Sequence, residues 1–406
     1  MSAALPWWKE PTRGQWYGFL AAWLGWVLDA FDFTIFILVM PAIAKEFGVS
    51  MTAAASSITL TLLLRLAGGV AAGAAADRWG RRLPLMISIA WFALCDGAVA
   101  FAPSFAWVLV LRTLFGFAMG AEWTAGSTLV MENWPARSRG TVSGLLQGSW
   151  AVGYILAATV SAVVVPRYGW RMLFMMAALP ALLVIPIRLW VPESDEWKKA
   201  RREGTRPAGI TAILQPRVVT RIIWASLLLG CGFSAYNALT NLYPSMLQKE
   251  LGLSIREVAP YVRYFNVGML VGAVICGTLA TRLGIIKAMA IPAVLLLPVM
   301  PFYLGIYEGA LGPGALLAGV LAAGVSGITP LLLTSIFPAE IRARCVGFVY
   351  HAGAFLAAFV PTAIAAMSEF GGWRIATAMF LIAAVAKVLT LGVLYLRPGR
   401  VLEAQV

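Results

Sequence analysis

Charge is scarce in this chain and mostly of one sign: only 12% of the 406 residues are Asp, Glu, Lys or Arg, and 31 basic side chains face 18 acidic ones. A water-soluble domain with so little charge could not cover its own surface with polar groups, so the composition excludes an ordinary soluble fold. Histidine occurs once. Cysteine occurs four times, at Cys95, Cys231, Cys276 and Cys345, all in or beside apolar runs and without metal-ligand spacing. The thiols therefore read as small packing residues, and no metal site is expected. The sequence shows no nucleophile–base pair and no phosphate loop between a strand and a helix, so neither enzymatic chemistry nor a cofactor is expected.

What the chain does have is apolar length, with 61% hydrophobic residues. Unpaired backbone groups are costly in lipid, so apolar runs of ~20 residues must be helices. Twelve such spans can be drawn, beginning near Tyr17, Thr52, Pro84, Phe105, Arg139, Met172, Thr220, Val258, Ala288, Gly314, Cys345 and Ile375. Basic loops resist translocation. Lys9 and Arg13 precede the first span, and Arg78, Arg81, Arg82, Arg137, Arg139, Lys198, Lys199, Arg201, Arg202, Arg206, Arg342, Arg344, Arg397 and Arg400 fall on the same side of a twelve-span chain. Both termini are thus expected in the cytoplasm, in a multi-pass protein of the plasma (cytoplasmic) membrane. The formal charge of +13 is mostly this inside bias, which points to anionic lipid and away from nucleic acid. The first apolar run is too long for a cleavable signal and reads as a retained span.

The chain repeats itself. Pro135-Ala-Arg-Ser-Arg139 and Pro338-Ala-Glu-Ile-Arg342 lie 203 residues apart, as do Trp170-Arg171 and Trp373-Arg374, while Asp77-Arg78 and Thr281-Arg282 lie 204 apart. Three matches at nearly one period indicate a duplicated six-span unit. The expected organisation is an N-terminal six-helix bundle over residues 1–192, a charged cytoplasmic linker over 193–218 and a C-terminal bundle over 219–406. Such a duplication is the architecture of alternating access, in which one half rocks against the other around a site near mid-membrane.

Between Gly73 and Arg82 the chain reads Gly-Ala-Ala-Ala-Asp-Arg-Trp-Gly-Arg-Arg, at the end of one apolar run and just before the next. Glycines there let helices pack closely, and an aspartate near helix ends can hold arginines that separate during a conformational change. Gly73, Asp77, Arg78, Gly80, Arg81 and Arg82 are the expected gating residues. The segment resembles the loop between helices two and three of the major facilitator superfamily, which implies an all-α membrane protein with twelve transmembrane helices in two pseudo-symmetric six-helix bundles. Gly116 and Gly120 are expected to let span four approach a neighbour.

Ionisable groups inside a membrane are costly and so mark functional candidates. Asp29 and Asp32 share one face of span one at i, i+3 spacing, and two such carboxylates are not both ionised in a low dielectric. Arg65 lies twelve positions before Asp77, ~18 Å along span two, and must face a carboxylate of the protein or of a solute. Arg112 and Glu122 add a second cation and a further acid in span four; Arg112 is either a substrate contact or the partner of Glu122 or Asp96. The second half offers hydrogen-bonding groups: Tyr236, Asn237, Asn241 and Tyr243 in span seven, Asn266 in span eight, and Tyr350 with His351 in span eleven. Gln147 in span five repeats as Tyr350, so the two are expected to flank one cavity. His351 lies early in its span and reads as a satisfied bundle histidine before a proton carrier; Lys387 in span twelve has no evident partner.

Four stretches resemble the sialate:proton symporters and the related lactate/pyruvate carboxylate:proton symporters within that superfamily: Gly25-Trp-Val-Leu-Asp-Ala-Phe-Asp-Phe33, Thr59-Leu-Thr-Leu-Leu-Leu-Arg65, Arg112-Thr-Leu-Phe-Gly-Phe-Ala-Met-Gly-Ala-Glu122 and Ser143-Gly-Leu-Leu-Gln-Gly-Ser-Trp-Ala-Val-Gly-Tyr154. The resemblance implies proton coupling at Asp29, Asp32 and Glu122 and anion binding at Arg65 and Arg112. Tyr154, at the end of the fifth-span stretch, joins the expected substrate set with Gln147, Tyr236, Asn237, Asn241, Tyr350 and His351. Span seven departs from the monocarboxylate branch: Tyr236-Asn-Ala-Leu-Thr-Asn241 stands where those relatives carry a histidine and an acid.

The expected function is proton-coupled import of an organic carboxylate, a monocarboxylate such as lactate or pyruvate or a sialic acid, by a monomer whose partners are the anion, the proton and the lipid bilayer. A proton antiporter exporting a drug or metabolite is the rival, although Ser149-Trp-Ala-Val-Gly-Tyr-Ile-Leu-Ala157 lacks the proline such exporters carry in span five. A non-transporting sensor would add a long cytoplasmic extension, which this sequence does not show.

Overall fold

The structure, a computed structural model, describes residues 6–49, 51–179, 182, 186, 189–203, 210–253, 255–307, 309–369 and 371–396. Arg206, Arg397, Arg400 and much of the expected sixth span lie outside the described residues. The regular elements among those described are all helical. In chain order they are α1 (Arg13–Phe47), α2 (Met51–Trp79), α3 (Arg82–Val99), α4 (Phe105–Asn133), α5 (Arg139–Tyr168), α6 (Trp170–Met176), α7 (Asp195–Arg202), α8 (Ile210–Ile213) and α9 (Pro216–Thr240). They continue with α10 (Tyr243–Leu251), α11 (Ile255–Leu283), α12 (Ile285–Tyr303), α13 (Leu311–Ala318), α14 (Thr329–Ile336), α15 (Arg342–Ala357), α16 (Val360–Glu369) and α17 (Ile375–Tyr395). Ten stretches of described helix are long and apolar enough to cross a membrane.

Local sequence explains where helices start and break. Thr12 caps α1 through a reciprocal pair, its hydroxyl accepting from the Gln15 amide (3.3 Å) and its own amide donating to Gln15 Oε1 (2.7 Å). The eleventh expected span is divided between Ala357 and Val360 because Pro361 supplies no N–H for the Ala357 carbonyl, which accepts from Asn237 Nδ2 instead. The tenth is irregular as well, passing from α13 through a π turn at Gly319–Ala323 and a 3₁₀ turn at Gly324–Ile328 before α14.

The chain forms two compact units. The first comprises Met1–Ser138, Ser149–Gln215 and Phe337–His351; the second comprises Arg139–Gly148, Pro216–Ile336 and Ala352–Val406. The start of α15 thus packs with the first unit and the start of α5 with the second, and these two segments are related by the 203-residue repeat.

Within the first unit, α1, α3 and α4 enclose an apolar core of Leu85, Ile89, Phe92, Phe115, Met119 and Leu129. A second core gathers Phe31, Ile35, Phe36, Val39, Val108, Trp170 and Phe174. Helices α2 and α4 cross with backbones in contact. A Cβ at Gly116 would overlap the Thr61 carbonyl and one at Gly120 the Arg65 carbonyl, which is why small residues recur on that face of α4. In the second unit, Gly268 and Gly272 on α11 meet the backbone of the tenth span in the same way.

Each unit also carries an acid-to-arginine clasp where its first helical stretch ends. Glu46 accepts from the Trp170 indole (2.6 Å) and from the Arg171 guanidinium. Glu250 accepts from Arg374 Nε (3.3 Å) and from the amides of Ile375 and Ala376 at the start of α17. The two acids lie 204 residues apart and the two arginines 203, so the duplication read from Trp-Arg extends to its acidic partners.

Candidate functional site

Helix geometry places Asp29 and Asp32 near the middle of α1, Arg65 at the middle of α2 and Glu122 near the middle of α4. All four belong to the first unit and all are buried: both aspartates and Glu122 are 0% exposed and Arg65 is 7% exposed. Neither oxygen of Asp29, Asp32 or Glu122, nor Arg65 Nε, has a hydrogen-bond partner among the described residues. Arg65 forms no ion pair there, yet its charge acts on both Asp29 and Glu122, and Asp29 acts on Asp32 and Glu122. Gly25 makes room for the Glu122 carboxylate, since a Cβ there would overlap Oε1. Trp26 stands beside Glu122, outside hydrogen-bond geometry.

Arg112 differs. Its Nη1 lies 2.8 Å from Asp96 Oδ1, both side chains almost wholly buried. The guanidinium rests on Phe115 (4.1 Å to the ring centroid) and Phe36 (4.7 Å), and the Thr61 hydroxyl donates to the Arg112 carbonyl (2.9 Å). Of the pairings open in the sequence, the structure forms Arg112–Asp96.

Aromatic side chains flank Arg65. Its Cζ lies 5.6 Å from the Tyr350 ring and 5.9 Å from the Trp150 ring. Tyr350 stacks on Trp123 (centroids 3.6 Å apart, planes 16° apart), and Trp123 on Trp26 (5.6 Å, 19°). Trp150 in turn contacts Phe33 (6.1 Å) and Tyr154 (6.0 Å). His351 Nε2 lies 3.0 Å from the Gly120 carbonyl, to which it donates, and the ring occupies the space left by Gly69. Its Nδ1 is buried without a hydrogen-bond partner among the described residues, so the ring is satisfied on one nitrogen only.

The remaining expected substrate residues lie in the second unit. Gln147 is buried on α5. Tyr236 packs on Phe265 (6.4 Å), Asn237 Nδ2 donates to the Ala357 carbonyl (2.9 Å), and Asn241 is exposed just beyond α9. Lys387 is buried on α17 within electrostatic reach of Cys276.

The glycine-aspartate-arginine segment forms a second constellation within the first unit. Gly80, at φ +96°, turns the chain between α2 and α3. Asp77 pairs with Arg344 Nε (2.9 Å) and Arg81 (3.5 Å). Arg81 makes two bonds to Glu132 (2.9 and 3.0 Å), which also takes Ser194 Oγ (2.5 Å) and Arg342 (3.3 Å). Glu193 accepts from the amides of Arg81 (2.8 Å) and Arg82 (3.2 Å), and the Trp197 indole donates to the Asp77 carbonyl (3.1 Å). Arg78 is exposed and lies over Trp79 (5.6 Å), while a Cβ at Gly73 would strike the α15 backbone at Ala343 and Arg344. Glu132, Glu193, Arg342, Arg344 and Trp197 were not evident as members of this network from sequence. The signal available was an imbalance: three arginines and one aspartate between Asp77 and Arg82 need further acids.

Ten described helices able to cross a membrane, a repeated plan in the sequence and, among the described residues, buried carboxylates without hydrogen-bond partners point to a membrane transporter rather than an enzyme. Residues 22–331 match the Major Facilitator Superfamily, and the chain belongs to it. It is similar to the cis,cis-muconate transport protein of Acinetobacter baylyi (strain ATCC 33305 / BD413 / ADP1), at 30% identity over 87% of each chain. It is also similar to the sialic acid transporter NanX of Escherichia coli (strain K12), at 27% identity over 99% of each. Among solved structures, the human organic anion transporter MFSD10 (TETRAN) superposes with a TM-score of 0.78 at 16% identity, covering 94% of this chain and 100% of that one, a likeness of fold.

Proposed function

We propose that the protein is a proton-coupled symporter that imports an organic carboxylate across the cytoplasmic membrane by alternating access. The observation that carries this reading is the buried Arg65 without an ion-pair partner among the described residues, beside three buried carboxylates that likewise lack hydrogen-bond partners. A permanent guanidinium in a membrane helix needs an anion, and a solute carboxylate meets that need. Within the same unit Arg112 pairs with Asp96, whereas Arg65 forms no ion pair among the described residues, which supports reading it as the cation for a ligand. Relatives named for muconate and for sialic acid transport, both organic acids, support the choice of substrate class.

Coupling follows from charge. An anion entering beside ionised Asp29, Asp32 and Glu122 is repelled; protons on these acids remove that repulsion, so carboxylate and proton favour one another's binding. Loss of the proton to the cytoplasm then expels the anion. The Asp77–Arg344 and Arg81–Glu132–Arg342 pairs, with Gly73, Arg78, Gly80 and Arg82 around them, act as the cytoplasmic gate whose breaking accompanies opening, and each ligand shifts the equilibrium only by its differential affinity for the two states.

The test is uptake of labelled cis,cis-muconate, sialic acid and lactate into proteoliposomes under an imposed pH gradient, inside alkaline. At least one acid accumulates with the gradient, and the Asp29→Asn, Asp32→Asn protein loses the gradient dependence. Unchanged coupling in that variant removes the proton assignment; gradient-driven efflux in place of uptake makes the protein an exporter.

A further inference from the structure

We propose that the Arg65 site selects planar, conjugated carboxylates, with Trp150 and Tyr350 as its specificity-determining residues; this rests on the reading of Arg65 as the anion anchor. A carboxylate that pairs with both prongs of a guanidinium lies close to the plane of the fork. In a conjugated acid the rest of the molecule continues in that same plane, because the carboxylate is coplanar with its π-system. In a saturated acid the α-carbon substituents leave the plane at once.

The groups flanking the guanidinium are rings: Tyr350 at 5.6 Å from Cζ and Trp150 at 5.9 Å, one contributed by α15 and the other by α5. Each is backed by further aromatic surface. Trp123 and Trp26 continue the Tyr350 stack, and Phe33 and Tyr154 adjoin Trp150. Trp150 and Tyr154 are half-buried, whereas Trp123 is 1% exposed and backs Tyr350. A flat π-system extending from Arg65 beside these two rings gains the offset or edge-on contacts that aromatic pairs prefer.

The experiment compares benzoate with cyclohexanecarboxylate, which share size and charge and differ in planarity, as ligands of the full-length protein in detergent, by calorimetry and by thermal shift. Benzoate binds about 5–30-fold more tightly than cyclohexanecarboxylate, the range expected for one or two ring contacts. Trp150→Leu and Tyr350→Leu each bring the ratio towards one, whereas Trp150→Phe and Tyr350→Phe keep the preference for benzoate. A ratio near one in the parent protein, or a ratio that survives both leucine variants, overturns the proposal. Arg65→Gln separates the two layers of inference. If it abolishes binding of both acids while the parent shows no preference, the anchor stands and planarity falls. If it leaves both affinities unchanged, the anchor falls and the selectivity proposal with it.

Discussion

Removing the carboxylate of Asp96 provides the sharpest test of how the two membrane arginines divide their work. Asp96 and Arg112 meet at 2.8 Å with 0% and 1% of their side chains exposed, and Phe36 and Phe115 lie against the guanidinium. Two unit charges ~4 Å apart at an effective dielectric of ~20 attract by ~4 kcal/mol, and breaking a buried pair by deleting one partner costs about 3–5 kcal/mol because the other charge is stranded. Asp96→Asn is therefore expected to destabilise the protein by that amount. In a unit of roughly 150–250 residues that corresponds to a fall in Tm of about 6–20 °C. The paired replacement Asp96→Leu, Arg112→Met removes both charges and puts a flexible thioether against the phenyl rings, so it recovers most of the loss. The assay is thermal unfolding in detergent, with benzoate affinity measured alongside. If Arg112 is the counter-ion of Asp96 and Arg65 the substrate cation, the double variant binds benzoate as the parent does. Binding lost in the double variant as completely as in Arg65→Gln, or an Asp96→Asn protein that loses less than ~1 kcal/mol, refutes the reasoning.

Two further expectations follow from groups near the helix ends. Cys345 is 1% exposed and adjoins Arg344, so in a protein with Cys95, Cys231 and Cys276 replaced by Ala, Asp77→Asn with Glu132→Gln is expected to raise maleimide labelling at Cys345 by about 10-fold or more, the population change that ~1.4 kcal/mol of lost closure gives; an unchanged rate argues against a gate at these pairs. At Glu46, burial pushes the carboxyl upward, but the Trp170 indole and the Arg171 guanidinium outweigh it and hold the group below its usual 4.5. A depressed acid contributes stability that is present above 4.5 and is lost as pH falls through the lower folded value. Glu46→Gln therefore lowers stability at pH 7 by about 0.2–1 kcal/mol, the range for a solvent-exposed pair, and variant and parent converge in acid; a difference that grows as pH falls would contradict this.

Much of the fold is legible because the bilayer leaves few choices. Apolar runs must be helices, and the expected starts at Thr52, Phe105, Arg139 and Ile375 fall within one residue of helix starts in the structure. The division of the eleventh span was less visible, since Pro361 reads equally as a kink within one helix or a break between two. At the site, the period of the helix was enough to suggest Asp29, Asp32, Arg65 and Glu122, which come together on α1, α2 and α4. It could not choose a partner for Arg112, because Asp96 and Glu122 both lie within reach along the sequence and only the packing of α3 on α4 decides. Nor could it join Tyr350 to Arg65 across 285 positions of sequence, a juxtaposition made by the docking of α15 in the first unit.

That docking has a mechanical consequence. The ring beside Arg65 and the guanidinium that holds Asp77 sit on the same α-helix, Tyr350 six residues beyond Arg344, a rise of ~9 Å along one rigid rod. On the proposed reading, a displacement of Tyr350 by an arriving solute would reach Arg344 as the tilt or slide of a lever, with no relay of intermediate side chains, and the solute's presence and the lock's release would be two readings of one helix's position.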